Sequence, residues 1–120
     1  MKREFAVVAL MIGIAGGIVY GQAPDPKLIT QGKKLYTTYK CEKCHMIAGK
    51  GSKKGPLDGV GAKLSVTEIR RWLIEPAEME KKLEKPPKGT DSMSNALKTK
   101  GIEPDEIEAL VAYMRSLTKK

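Results

Sequence analysis

Cys41-Glu42-Lys43-Cys44-His45 constrains this chain more than any other stretch of it. The pattern is C-x-x-C-H, the attachment signature of c-type haem. Two thiols three residues apart on a helical turn reach the two vinyl groups along one side of a porphyrin and form thioethers. The histidine directly after the second cysteine then lies under the iron and supplies its proximal nitrogen. Other uses of these residues fit less well. A C-x-x-C redox disulfide has no need of His45 and usually sits on a βαβ fold. A zinc site lacks a fourth ligand, because the chain holds two Cys and one His.

Composition adds an independent argument. The 120 residues include one Phe and one Trp, and aromatic content is 5%. A small domain this poor in aromatics has difficulty filling a core with its own side chains. Haem c, a large and mostly apolar group, supplies the missing core. The length allows one domain. With a single His and two Cys, a disulfide-rich scaffold is excluded.

The N-terminus reads as an address. Met1-Lys2-Arg3 is basic, and residues 5–20 are uncharged and rich in Ala, Val, Ile and Gly, as in the n- and h-regions of an export signal. The stretch is short for a bilayer span, which needs about 20 apolar residues. Gly13, Gly16, Gly17 and Gly21 weaken it as a helix standing in water. Cleavage after Ala23 or Gly21, or retention as an anchor, are the alternatives. The expected organisation is residues 1–23 as signal peptide or uncleaved anchor and residues 24–120 as one domain. The expected location is the periplasm, soluble or tethered to the inner membrane through residues 5–20.

Helical signals dominate the remainder. Asp25-Pro26 opens a helix with a side-chain acceptor followed by Pro at its first position. Leu28, Ile29, Leu35, Tyr36 and Tyr39 follow at helical spacing, and the helix is expected to end between Lys40 and Cys44. Gly32 interrupts it at up to about 1 kcal/mol relative to Ala, so a close backbone approach is the expected compensation. Residues 49–61 hold Gly49, Gly51, Gly55, Pro56, Gly59 and Gly61 and read as loop. They contain no phosphate-binding G-x-x-x-x-G-K-[ST]. Ser65-Val66-Thr67-Glu68 is a capping box for a second helix, which Pro76 ends or kinks. Pro86-Pro87 stops the charged turns that follow, and residues 88–101 read as a long loop with a turn near 95–98. Pro104 starts a final helix whose apolar stripe is Ile107, Leu110, Val111, Met114 and Leu117. No useful strand alternation is present. The expected fold is all-α, with three to five helices and long loops wrapped around one covalently bound haem.

The sixth iron ligand is open on these grounds alone. The only His is used, a Lys would have to lose its proton, and a thioether is the natural soft ligand. Met46 adjoins His45 and cannot reach the opposite haem face, and Met114 belongs to the apolar stripe. Met79, in a charged helical turn, and Met93, in the loop after Pro86-Pro87, remain. A loop suits the task better, because it aims one sulfur while its backbone stays solvated.

From about Gly32 to Leu117 the sequence resembles the class I c-type cytochromes, small monohaem electron carriers. The resemblance rests on Cys41, Cys44 and His45, on Gly32 and Tyr36 before them, on Leu110 and Tyr113 in the final helix, and on Gly55-Pro56-Leu57 after the motif. It implies that the first and last helices cross at a glycine–aromatic contact, that the Pro56 carbonyl accepts from the far nitrogen of His45, and that Met93 is the axial sulfur. Such cytochromes often carry Pro after this Met, where this chain has Ser94. The function implied is single-electron transfer between respiratory redox partners, without catalysis. A haem domain with an open sixth position, peroxidase-like or gas-binding, and a thiol–disulfide module are the rival readings.

The formal net charge of +8 is unevenly distributed. Residues 33–63 hold eight Lys against Glu42 and Asp58, a net +6 around the haem-attachment segment. A basic rim there suits docking to acidic-surfaced redox proteins. Nucleic acid is not an expected partner, since export separates the chain from it and no recognition motif is present.

Overall fold

The computed structural model describes residues 23–119. The expected export segment falls almost wholly outside them. Six α-helices follow one another: α1 (Pro26–Thr38), α2 (Val60–Lys63), α3 (Val66–Ile74), α4 (Pro76–Glu80), α5 (Met93–Leu97) and α6 (Pro104–Ser116). One-turn 3-10 segments at Cys41–Lys43 and Gly89–Asp91 join them. Three helices are the long ones expected. The short α2, α4 and α5 raise the number above three to five. Among the described residues no helix is long and apolar enough to cross a membrane.

The α1–α6 crossing holds the fold together. Asp25 accepts from the Lys27 amide at 2.8 Å and starts α1. Gly32 is buried at the crossing, and a Cβ built on it would stand 2.0 Å from the Ala109 carbonyl oxygen. The backbone approach expected at Gly32 is therefore present. One turn on, the rings of Tyr36 and Tyr113 meet edge to face, their centroids 5.8 Å apart.

Helix α6 is buried well beyond a single stripe. Ala109 to Tyr113 are each at most 8% exposed, in addition to Ile107 and Met114. The reason is its position: α1 lies against one side, and α2 and α3 lie against others. The Arg70 guanidinium on α3 donates to both Glu108 oxygens on α6, at 2.7 and 2.9 Å. The capping box of α3 is formed, with the Glu68 amide donating to Ser65 Oγ at 3.1 Å and the Ser65 amide donating to Glu68 Oε1 at 3.2 Å.

Two expectations about loops need correction. Residues 46–51 form a small hairpin, with β1 (Met46–Ile47) antiparallel to β2 (Lys50–Gly51) and Met46 opposite Gly51. Its two-residue turn places Ala48 and Gly49 both at positive φ, the combination that matches strand twist. The Asp58 carboxylate holds this turn by accepting from the Ala48 amide at 2.9 Å. The stretch 88–101 is not all loop either. Ser92 caps α5, accepting from the Asn95 amide at 3.2 Å.

Candidate haem site

The C-x-x-C-H segment begins where α1 stops. Lys40 adopts a left-handed conformation, φ 55°, which ends the helix and turns the chain into the 3-10 segment carrying Cys41. The Lys100 ammonium donates to the Tyr39 carbonyl at 2.6 Å, satisfying one of the last carbonyls of α1. Cys41 is half-buried and Cys44 exposed, and both thiols are free. Burial pushes the Cys41 thiol up to about 11, against a smaller lowering by Lys100. A thiol so raised is a poor thiolate nucleophile for disulfide exchange.

His45 is fixed by the loop that follows. Its Nδ1 lies 3.0 Å from the Gly55 carbonyl oxygen. A carbonyl only accepts, so Nδ1 carries the proton and Nε2 keeps its lone pair. Burial lowers the imidazole pKa below its ordinary value, and the Gly55 bond opposes this in part. Both the tautomer and the neutral state suit metal ligation. The bond falls on Gly55 and not on Pro56. The register explains why: the Met46 amide donates to the Gly55 carbonyl at 3.1 Å, and the Leu57 amide donates to the Met46 carbonyl at 2.8 Å. These two bonds turn the Gly55 peptide toward the ring and bring Pro56 beside Met46. Gly55 also has to be small, since a Cβ there would stand 2.8 Å from His45 Nδ1.

Cys41, Cys44 and His45 open onto a cavity of about 870 Å³, within the size range of sites for large ligands. Leu57, Val60 and Leu64 wall it after the C-x-x-C-H segment, Ile69, Trp72 and Leu73 line it from α3, and Leu110 and Met114 line it from α6. Met93, Ala96 and Leu97 line it from α5. The four residues expected at the iron and the thioethers are thus brought to one cavity. Met79 does not line it and is buried in α4. Met114 lines the cavity from within the hydrophobic core, as its place on the stripe suggested. The Tyr36 hydroxyl, also on the cavity wall, is buried with no hydrogen-bond partner among the described residues. A mostly apolar slot with paired thiols, a neutral imidazole and a thioether has the donor set that haem c requires.

Sequence reasoning missed four contributors. The Gly55 carbonyl depends on hairpin register, which has no local signature. Trp72 lines the cavity from α3, a role that its place in the sequence does not single out. Glu80 and Ser92 line the cavity and meet each other across twelve positions of sequence. The Ser92-x-x-Asn95 cap was the one local signal available for that segment.

An all-α domain folded around such a slot is a c-type haem protein. The chain belongs to the cytochrome c family: residues 29–118 match the family model Cytochrome c. Searches of curated proteins and of solved structures gave no match. The cofactor is haem c, attached covalently, and the protein is a haem-binding electron-transfer protein.

Proposed function

We propose that this chain is a monohaem carrier that moves single electrons between respiratory redox partners on the outer side of a bacterial inner membrane. In this reading it is not itself an enzyme, and residues 1–23 deliver it to the periplasm or anchor it there. Cys41 and Cys44 form the thioethers, His45 is the proximal ligand and Met93 the distal one. Iron held by an imidazole and a thioether exchanges one electron between its ferric and ferrous states with little rearrangement.

One observation supports this assignment above the rest: Met93 and His45 line the same cavity, whereas Met79 is buried in α4 away from it. With His45 and Met93 both ligating the iron, the chain's own side chains would leave no position on it for a small molecule to react. The Gly55 carbonyl holds the His45 ring in the tautomer that ligates. The walls from α3 and α6 present apolar side chains to the site.

Replacing the ligand tests the reading. Met93→Ala is expected to abolish the sulfur-to-iron charge-transfer absorption and to lower the reduction potential by roughly 100 mV or more, within the ~0.8 V that axial ligation spans. Met79→Ala is expected to cost about 2–5 kcal/mol of stability through lost packing and to leave the potential near its original value. The converse result would move the ligand assignment to Met79.

The partner reading rests on charge. All eight Lys of residues 33–63 are exposed, and Cys44, at the thioether edge, is exposed among them. This favours acidic-surfaced redox proteins docking near that edge. The bimolecular electron-transfer rate with such a partner is expected to fall severalfold between ~0.05 and ~0.2 M salt. A rate indifferent to salt would remove electrostatic docking from the account.

A further inference from the structure

Glu80 and Ser92 are the buried polar side chains among the described residues, at 7% and 5% exposure. They are bonded to each other. The Ser92 hydroxyl lies 3.0 Å from one Glu80 oxygen and 3.2 Å from the other, so its single proton serves both. The Ser94 amide donates to Glu80 Oε1 at 2.9 Å. The two residues that hold Glu80 therefore flank Met93 on either side. Ser92 Oγ also accepts from the Asn95 amide, which continues the grip into α5. The Ser92 hydroxyl and the Ser94 amide both donate to the Glu80 carboxyl oxygens. Burying a carboxyl group is costly unless it is hydrogen-bonded, and these bonds meet that requirement.

The other bonds of this segment are local: Asn95 Nδ2 donates to the Gly89 carbonyl at 3.1 Å, and backbone turns close residues 88–96. The loop 81–86 before it is exposed throughout. The Lys54–Asp91 ion pair is 3.7 Å long between side chains 81% and 64% exposed, and such surface pairs hold weakly. Ser94 itself becomes intelligible here. A Pro at this position would stiffen the backbone but would have no N–H for Glu80.

We infer that Glu80 is a positioning residue: through Ser92 and Ser94 it clamps the backbone on both sides of Met93 and so keeps the sulfur on the iron. The inference rests on the reading of Met93 as the distal ligand. When the clamp is intact the iron stays closed. When it is broken Met93 leaves more often, and an external ligand can enter.

The experiment uses the haem-loaded full chain, reduced, with carbon monoxide as the probe and the midpoint potential as a second readout. Glu80→Ala and Ser92→Ala are expected to bind carbon monoxide ~10-fold faster than the parent protein or more, with covalent haem intact and the potential lowered. Glu80→Gln is expected to fall between, because its amide oxygen still accepts from Ser94. Should Glu80→Ala yield no holoprotein, Ser92→Ala, which removes a single oxygen, decides. Variants that melt earlier yet bind carbon monoxide within about twofold of the parent rate would make the carboxylate merely structural and overturn the proposal. Met93→Ala is the reference. If it opens the iron while the Glu80 and Ser92 variants do not, the clamp alone is wrong. If Met93→Ala leaves the iron closed, the ligand reading fails and the clamp falls with it.

Discussion

Without haem this chain is expected to lose its cooperative fold. Its hydrophobic core is small, and no large side chain among the described residues is less than 2% exposed. The cavity of about 870 Å³ opens between α3, α5, α6 and the C-x-x-C-H segment, so those elements meet largely across it. Unfilled, its apolar walls would face water instead of a ligand, and a marginal domain has only about 5–15 kcal/mol of stability to lose. Collapse of the walls offers no better outcome, since it breaks the α3–α6 and Glu80–Ser92 geometry. The double variant Cys41→Ala, Cys44→Ala, or the chain made in cells without haem-attachment machinery, should show reduced far-ultraviolet circular dichroism and no sharp thermal transition. A haem-free chain with a sharp, native-like transition would show that the polypeptide carries its own core after all.

The second large effect is expected from one methyl group. Gly32→Ala places a Cβ 2.0 Å from the Ala109 carbonyl oxygen and 2.7 Å from Tyr113 Cβ. Neither obstacle is the free end of a flexible side chain, so α1 and α6 must separate. Overpacking of this kind costs about 1–3 kcal/mol and sometimes more, against a gain of up to ~1 kcal/mol in helix propensity. Separation also pulls Tyr36 from Tyr113 and loosens the start of the haem-attachment turn, which places the net loss near the upper end, about 2–3 kcal/mol. In a domain of this size that lowers the melting temperature by roughly 10–20 °C. Thermal unfolding of the holoprotein, followed by circular dichroism, measures it. A variant as stable as the parent would mean that the two helices do not need this contact.

How far these features were legible follows from how local each one is. Cys41, Cys44 and His45 lie within one short segment, and the porphyrin dictates their spacing, so the chemistry is readable from that segment alone. Gly32 was readable as an anomaly, because a glycine that weakens a helix invites a reason. Pro26, Ser65 and Pro104 marked helix starts for the same local cause. The misses are all long-range or marginal. The proximal carbonyl moved from Pro56 to Gly55 through a hairpin register of two residues. That hairpin turns on Ala48 at positive φ, held by Asp58 ten positions away, which composition does not announce. The burial of α6 beyond one stripe, from Ala109 to Met114, came from its neighbours α1, α2 and α3 rather than from its own periodicity. Glu80 is one of several charges in its stretch of sequence, and only the meeting of α4 with α5 turns it inward.

The claim at the centre of the account is a haem iron closed on both faces by His45 and Met93. The most direct test is the optical spectrum of the dithionite-reduced native protein at neutral pH, before and after addition of carbon monoxide. A sharp low-spin haem c spectrum that does not change with the gas is expected. Rapid appearance of a carbonyl-haem spectrum would show an iron open to ligands, and would contradict the claim.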